Sequence, residues 1–244
     1  MKPFAGGSIA RISLTIVVAF VLTACASKPP VSIPKPIITS IAIVPATTPS
    51  VYYVDNRNGA IGILIPPVVS LAYVMENRTK TRTLTEKLVS MKFAPGQEFT
   101  DAMTASLRKL GYTVHVLDDL SRMADDPDNI DYEEVTYSAD ALLHLYFSQV
   151  GLYSPPWTID YLPRVNATAI MFVKGLPDAL YYETLYYGAD AREGKKWAIV
   201  SDEAFTYSDF EVVLKNLDSV RAGFSAGVTE IATRMSEQIH GAIK

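Results

Sequence analysis

Ile41-Ala42-Ile43-Val44 is the most informative stretch for the fold, because four apolar residues follow one another inside the mainly apolar run 37–45. A strand with one wet face alternates apolar and polar residues, whereas a strand covered on both faces is apolar throughout. The run therefore predicts a first strand that is buried on both sides, inside a sheet covered by helices.

The residues that follow predict a strand, helix, strand unit. Pro95 opens a helix whose apolar side chains form one stripe, and Gly111 stands at its C-cap position. Residues 112–117 then predict a second strand, so the unit resembles a crossover connection. The stripe of the helix consists of Phe99, Met103, Leu107 and Leu110.

The second half of the chain predicts an antiparallel meander. Long strands are expected at 141–153, 164–174 and 179–187, and Gly175-Leu176-Pro177-Asp178 has the composition of a hairpin connection. Short extended pieces are expected at 51–54 and 197–200. Along the second long strand a polar face alternates with an apolar one, and the polar face consists of Arg164, Asn166 and Thr168.

Two helices are expected near the carboxyl end. Ser208 and Glu211 have the spacing of a capping box, which opens a short helix. A longer helix follows, because apolar residues recur every three or four positions from Leu217 to Ile239, as in a helix that covers a sheet. These elements predict an α/β (α+β) fold, with a mixed sheet of about five strands and covering helices, in a single domain spanning 37–244.

Leu22-Thr23-Ala24-Cys25 resembles the lipobox of bacterial lipoproteins, a branched apolar residue and two small residues before an obligatory cysteine. Lys2 and Arg11 supply a positive amino-terminal region, and the apolar run 12–22 is too short to span a bilayer. The resemblance implies that residues 1–24 are a signal peptide cleaved between Ala24 and Cys25.

The lipobox also implies how the mature chain is held. Cys25 would carry a diacylglyceryl group on sulfur and a further acyl chain, such as palmitate, on its new amine, and two or more chains anchor a protein stably. The proline-rich stretch 25–36 predicts an extended tether. Because no Asp follows Cys25 directly, the outer membrane is favoured, with the domain facing the periplasm; the inner membrane and the cell surface stay open as alternatives.

The stretch 59–75 is apolar apart from Ser70, and Pro66-Pro67 interrupts it. Three interpretations stay open: a loop and helix packed on the domain's own core, a surface for self-association or for an envelope protein, and a segment that enters lipid, as in a pore-forming oligomer. The residues expected to make partner or membrane contact are Ile61, Ile63, Leu64, Ile65, Val68, Val69 and Leu71.

Composition excludes several functions. The formal net charge of −4 includes the two cations of the leader, so the remainder is more acidic still, and without a basic stripe nucleic acid is not an expected partner. Cys25 is the only cysteine, which leaves no thiol for a disulfide, a zinc cluster or a nucleophile. No Gly-x-Ser-x-Gly elbow and no phosphate-binding glycine loop is present. No cofactor is therefore expected.

Histidines and carboxylates give weak site signals. His115, His144 and His240 lie far apart in sequence, and hydrogen-bonded structural histidines are a simpler interpretation than a metal site or a hydrolase triad. The acidic loop 118–134 could suggest calcium, but it lacks the glycine of an EF-hand, so a solvated loop is favoured.

Fourteen tyrosines are a high content for a chain of 244 residues. Tyr181-Tyr182 and Tyr186-Tyr187 fall on one predicted strand and face both of its sides. Core packing and cross-strand pairing explain them most simply; a face that binds a peptide or a glycan is the second interpretation.

Three short motifs carry a further resemblance: Ile41-Ala42-Ile43-Val44-Pro45, Gly111-Tyr112-Thr113-Val114 and Ala139-Asp140-Ala141-Leu142-Leu143. Behind a lipobox, they resemble bacterial lipoproteins whose domain is similar to the curli-secretion lipoprotein and to the amino-terminal domain of TolB. The resemblance implies a scaffold or assembly role in the envelope and no inherited catalytic residues. The resulting hypothesis is a non-enzymatic lipoprotein that binds envelope proteins or copies of itself, with an envelope hydrolase as the weakest alternative.

Overall fold

Seven strands form one mixed sheet in the computed structural model, which describes residues 36–57, 67–123, 125–156 and 158–244. The order is β3-β1-β4-β5-β6-β7, and β2 pairs with the second half of β4. The strands are β1 (Ser40–Val44), β2 (Tyr53–Asn56), β3 (Thr113–Val116), β4 (Ala141–Ser154), β5 (Leu162–Val173), β6 (Tyr181–Gly188) and β7 (Ala198–Ile199).

The helices are α1 (Pro67–Ser90), α2 (Pro95–Lys109), α3 (Phe210–Lys215) and α4 (Leu217–Ile243). Side chains of α1, α2 and α4 share one apolar core with one face of the sheet. The predicted α/β class is thus confirmed, including the antiparallel meander β4-β5-β6 and the long carboxyl-terminal helix.

β1 is buried on both faces, as its apolar sequence predicts. Ile41 and Ile43 point into the core beneath the helices, whereas Ala42 and Val44 belong to a second, smaller apolar cluster. That second cluster is closed by the loop 117–139, which contributes Ile130 and other apolar side chains. The strand is therefore covered by helices on one side and by a loop on the other.

The capping box predicted at Ser208 is wrong by one residue. Asp209 is the N-cap of α3, and its carboxylate accepts a hydrogen bond of 2.8 Å from the amide of Val212. The hydroxyl of Ser208 donates to that carboxylate instead, at 3.3 Å. A carboxylate is both an acceptor for a free amide and a charge suited to the positive end of a helix, so it takes the cap position.

The position at which α1 begins changes the interpretation of the stretch 59–75. The helix begins at Pro67, so the second half of the apolar stretch belongs to the same helix as the polar residues that follow it. A proline costs little at the first helical position, because the first amides of a helix have no intrahelical partner.

Polar side chains of α1 cover the free edge of β2. The backbone amides of Tyr52 and Val54 donate to the hydroxyls of Thr85 and Thr81, at 3.0 and 2.9 Å. One turn further on, the amide of Asn56 donates to the side chain of Asn77 at 3.2 Å. A spacing of four residues on the helix thus matches a spacing of two on the strand, and the edge amides are satisfied without another strand.

The outer strands β3 and β7 each have a carbonyl bound by a helix side chain. Arg108 of α2 donates to the carbonyl of Val114 at 3.0 Å, and Arg234 of α4 donates to that of Ala198 at 3.1 Å. Free strand edges invite pairing with another chain. Helix side chains therefore occupy part of each edge that a partner strand would need.

Asp140 fastens the start of β1 to the start of β4. One of its carboxylate oxygens accepts four hydrogen bonds of 2.8 to 2.9 Å, from the amides and the hydroxyls of Thr39 and Ser40. These bonds, the one from the Thr39 amide foremost, hold the pKa of Asp140 well below its usual range. The aspartate of the Ala139-Asp140-Ala141 motif is therefore a structural residue.

Candidate functional site

The meander β4-β5-β6 has one face in the core and one that no helix covers. We call the second the open face, and it carries Tyr146, Tyr153, Arg164, Asn166, Thr168, Tyr182, Thr184 and Tyr186. It arises from alternation, since the intervening residues of β5, such as Val165 and Ala167, are buried beneath α4. The sequence thus placed a polar face on β5 correctly.

A cavity of about 850 Å³ lies on the open face along β6 and the turn that follows it. Tyr182 is its most accessible ring, with 65% of its surface exposed. Tyr186 makes an edge contact with Trp197, and the ring centres are 5.0 Å apart. The lining consists of Tyr153, Tyr182, Glu183, Thr184, Tyr186, Ala189, Asp190, Ala191, Arg192 and Trp197.

Arg164 is the centre of an ion-pair cluster beneath this cavity. Its guanidinium lies 3.0 Å from a carboxylate oxygen of Asp190 and 3.5 Å from one of Asp55. Its central carbon also lies over the ring of Tyr153, 4.2 Å from the ring centre. Arg164 is only 8% exposed, and its guanidinium has therefore lost most of its hydration. The two carboxylates and the ring compensate for that loss.

Asn166 and Thr168 complete a fixed polar floor. The Asn166 amide donates to Asp190 at 2.7 Å, and the hydroxyls of Thr168 and Thr184 lie 2.7 Å apart. The Asn166 side-chain oxygen is buried and has no hydrogen-bond partner among the described residues. Burial raises the pKa of the Tyr146 phenol.

The tyrosine pairs of β6 divide between the two faces, as the alternation predicts. Tyr181 and Tyr187 are buried in the helix-covered core, and the Tyr181 hydroxyl donates to Gln238 of α4 at 2.7 Å. Tyr182 and Tyr186 line the open cavity. Core packing thus explains half of these rings, and the binding-face interpretation applies to the other half.

The structure does not bring His115 and His144 together. β1 lies between their strands, so their backbones are two strand spacings, about 10 Å, apart. His144 is buried and bonded to the Tyr132 hydroxyl at 2.7 Å. His240 is bonded to the Tyr112 hydroxyl at 2.8 Å. His144 and His240 thus make the structural hydrogen bonds that the simpler interpretation expects, and the hydrolase stays the weakest alternative.

The acidic loop is solvated on one side and packed on the other. Seven of its eight carboxylates are exposed, which agrees with the favoured prediction. The eighth, Asp128, accepts a hydrogen bond of 2.7 Å from Thr47, and burial raises its pKa. No group of three metal-ligating side chains that could hold an ion occurs in the described part of the chain.

The start of α1 exposes apolar side chains. Val74 and Met75 are 45% and 60% exposed. Packing of the stretch 59–75 on the domain's own core is therefore wrong for these two residues. Val68, Val69 and Leu71 fall within α1, but their side chains lie outside the described residues, as do Ile61, Ile63, Leu64 and Ile65 entirely.

Cys25 and Ala24 also lie outside the described residues, so lipidation and cleavage stay predictions. Within the described ranges, no helix combines the length and the apolar character needed to cross a membrane.

No protein-family model and no curated protein matches the sequence. Several solved structures match the chain at low similarity. Protein XCC0632 of Xanthomonas campestris, from the family described as DUF330, has 9% identity and a TM-score of 0.43 over 88% of this chain and 90% of that one. Protein CT253 of Chlamydia trachomatis has 12% identity and a TM-score of 0.38, over 84% and 98%.

Lipoprotein GNA1162 of Neisseria meningitidis has 13% identity and a TM-score of 0.30, over 64% of this chain and 86% of that one. At these values the likeness identifies neither a family nor a function. The resemblance to the curli-secretion lipoprotein and TolB stays a prediction.

Proposed function

We propose that this chain is a lipid-anchored envelope protein that binds another envelope component through its open face, without catalysing a reaction on it. The observation that carries the proposal is the cavity of about 850 Å³ on that face. Exposed rings, hydrogen-bonding groups and a fixed floor meet there on a sheet backed by a well-packed core. Tyr, Trp and Arg are the side chains enriched at binding surfaces.

Binding is favoured over catalysis by the state of the polar groups. Arg164, Asp190 and Asn166 are engaged with one another, so the floor holds no free acid beside a free base. A general base must reach the proton it removes, and a nucleophile needs such a base beside it. In the described part of the open face, the paired Arg164 instead lies against the ring of Tyr153 in the cavity wall.

Anchoring at Cys25 supplies the membrane association in this proposal. The support is the lipobox 22–25 behind an apolar run of signal-peptide length. The outer membrane is the proposed location, with the domain in the periplasm.

The anchoring test compares the full-length protein with Cys25→Ser in cells fed a labelled fatty acid. We expect the unsubstituted protein to carry the label and to be found in the membrane fraction. The variant should carry no label and should leave that fraction. A labelled, membrane-bound Cys25→Ser protein would contradict the anchor.

The exposed start of α1 supports a second contact, with an envelope protein or a second copy of this chain. The exposed side chains of Val74 and Met75 continue the apolar sequence that precedes them. Deleting 59–75 would remove the first turns of α1, so substitution is the cleaner test. We expect Val74→Glu with Met75→Glu to shift the full-length protein in detergent to a smaller sedimenting species.

The same variant tests lipid insertion, the alternative for this segment. Unchanged sedimentation together with a loss of liposome leakage would favour insertion and exclude self-association. The exposed pair Arg82→Ala with Glu86→Ala, further along α1, serves as the control and should change neither measurement.

A further inference from the structure

We infer that the cavity on the open face binds a neutral saccharide, with a sugar ring against Tyr182 and its hydroxyls bonded by the polar rim. This inference rests on the proposed function, in that it names the class of ligand for the same face. Three properties of the cavity lead to it: its charge balance, its lack of aliphatic lining, and the strand edges that surround it.

Charge in and beneath the cavity is balanced. Glu183 and Asp190 are the acids of the lining, and Arg192 is its exposed cation. Arg164 below neutralises Asp190 through the contact of 3.0 Å, and Asp55, the second acid beside Arg164, is paired with Arg57 at 2.7 Å. A site for a phosphate or a carboxylate needs uncompensated cations, and a cation site needs uncompensated acids. The balance therefore favours a ligand without net charge.

The apolar part of the lining is almost wholly aromatic. Beyond the rings of Tyr153, Tyr182, Tyr186 and Trp197, only two alanines contribute apolar side chains. A fatty acyl chain is bound in a cavity lined by aliphatic side chains, which is absent from this described surface. Tyr and Trp instead offer flat apolar faces beside polar groups. A pyranose presents the matching combination of a C–H face and a ring of hydroxyls.

An extended peptide is less suited to this region. Peptides that add to a sheet bind a free strand edge through their main chain. β7 pairs with β6 only at Tyr186 and Tyr187, and Arg234 occupies the carbonyl of Ala198 there, so the edge left beside the cavity is the short segment 181–185 of β6. A peptide at the cavity would therefore have only this short edge for the main-chain pairing that gives such complexes most of their affinity.

The test uses the full-length protein in a detergent without a sugar headgroup, because a glycosidic detergent would compete for the site. The probe is the tetramer of N-acetylglucosamine, an uncharged saccharide, titrated by calorimetry. We expect saturable binding. Tyr182→Ala should weaken it about tenfold, since one aromatic contact contributes roughly that factor, whereas Tyr182→Phe should retain it within about threefold.

Tyr53→Ala is the matched control. Tyr53 is 49% exposed and paired with Gly151 on the same face, but it does not line the cavity. Its substitution should leave the affinity unchanged. A second variant, Arg192→Ala, removes an exposed rim group and should weaken binding about threefold, so the inference stays testable if Tyr182→Ala fails to fold.

Several results would overturn the inference: no binding of the tetramer by the folded protein, equal losses in Tyr182→Ala and Tyr53→Ala, or binding of an uncharged tetrapeptide in place of the saccharide. These results are separable from failure of the proposed function. If Tyr182→Ala abolishes capture of an envelope protein while the tetramer does not bind, the open face is the binding surface and its ligand is not a saccharide.

Discussion

The two faces of the meander β4-β5-β6 differ in what their side chains do, although the same three strands build both. On the covered face Val165, Ala167 and Ala169 are fully buried against α4 and make only apolar contacts. On the open face Arg164, Asn166 and Thr168 are nearly as buried, yet each is held by polar partners. Burial alone therefore does not distinguish core from site; the kind of partner does.

The comparison predicts that substitutions on the covered side cost stability and those on the open side cost binding. The largest expected loss comes from Phe224, which is fully buried and stacks with Tyr52 and Phe93 at ring separations of 6.4 and 6.1 Å. Phe224→Ala should lower the free energy of unfolding by about 3–5 kcal/mol. Urea unfolding measures it.

Tyr182→Ala is the opposite case in the same measurement. Because this ring is largely exposed, the loss should be below about 0.5 kcal/mol. Similar losses for Phe224→Ala and Tyr182→Ala would show that the open face is part of the core.

The second largest effect is a loss of stability at low pH, which we attribute to His144. This residue lies on the part of the sheet that the loop 117–139 covers. Burial, with a further contribution from the Arg122 charge, lowers the pKa of His144 from 6.5 to about 4. The unfolded state binds more protons between these values, so stability is complete above pH 6.5 and falls as the pH drops toward 4. The loss should be roughly 3 kcal/mol over that window.

The pH dependence is read from urea midpoints of the wild type and two variants. His144→Leu should remove this component of the slope, whereas Tyr132→Phe, which keeps His144 buried, should retain it. A slope that survives His144→Leu unchanged would assign the effect to other groups.

The ion-pair cluster should give an intermediate effect. Arg164→Met leaves Asp190 and Asp55 without their shared cation and should cost about 2 kcal/mol, less than a fully buried pair because Asp190 is partly exposed. Arg164→Lys should not restore the loss fully, since it lacks the planar fork.

A double-mutant cycle with Asp190→Asn isolates this coupling. We expect a coupling energy of about 1 kcal/mol or more between the two residues. Additive losses would mean that the two side chains act independently and that the floor is not preorganised.

A smaller effect than that of the ion-pair cluster is expected at the edge of β2. Thr81→Val and Thr85→Val each remove an acceptor from one strand amide while keeping the side-chain shape, and each should cost about 1 kcal/mol. Hydrogen exchange at the amides of Val54 and Tyr52 checks this prediction. In each variant, the amide that has lost its acceptor should exchange faster. Thr83→Val on the opposite side of α1 is the control and should leave both amides unchanged.

Much of the covered face could be predicted from sequence, because its signals are local and periodic. The apolar run of β1, the stripe of α2 and the spacing of α4 each report burial directly. The same alternation placed Arg164, Asn166 and Thr168 on one face of β5. It could not show that they are buried, since their partners Asp190 and Asp55 are distant in sequence.

α1 shows why the remaining features were missed. Its threonines and Asn77 appear in sequence as a polar surface helix, yet they satisfy the amides of β2. That role depends on a strand lying beside the helix, which no local pattern reveals. The cavity is similar: Asp190 comes from a connection whose sequence carries no periodicity.

The central claim is that the open face contacts another envelope component. A photoreactive phenylalanine analogue in place of Tyr182, in the full-length protein in growing cells, tests it directly; Val89 on α1, which is 59% exposed, is the control position. We predict a covalent adduct from position 182 and none from position 89. No adduct at 182, or equal adducts at both positions, would contradict the claim.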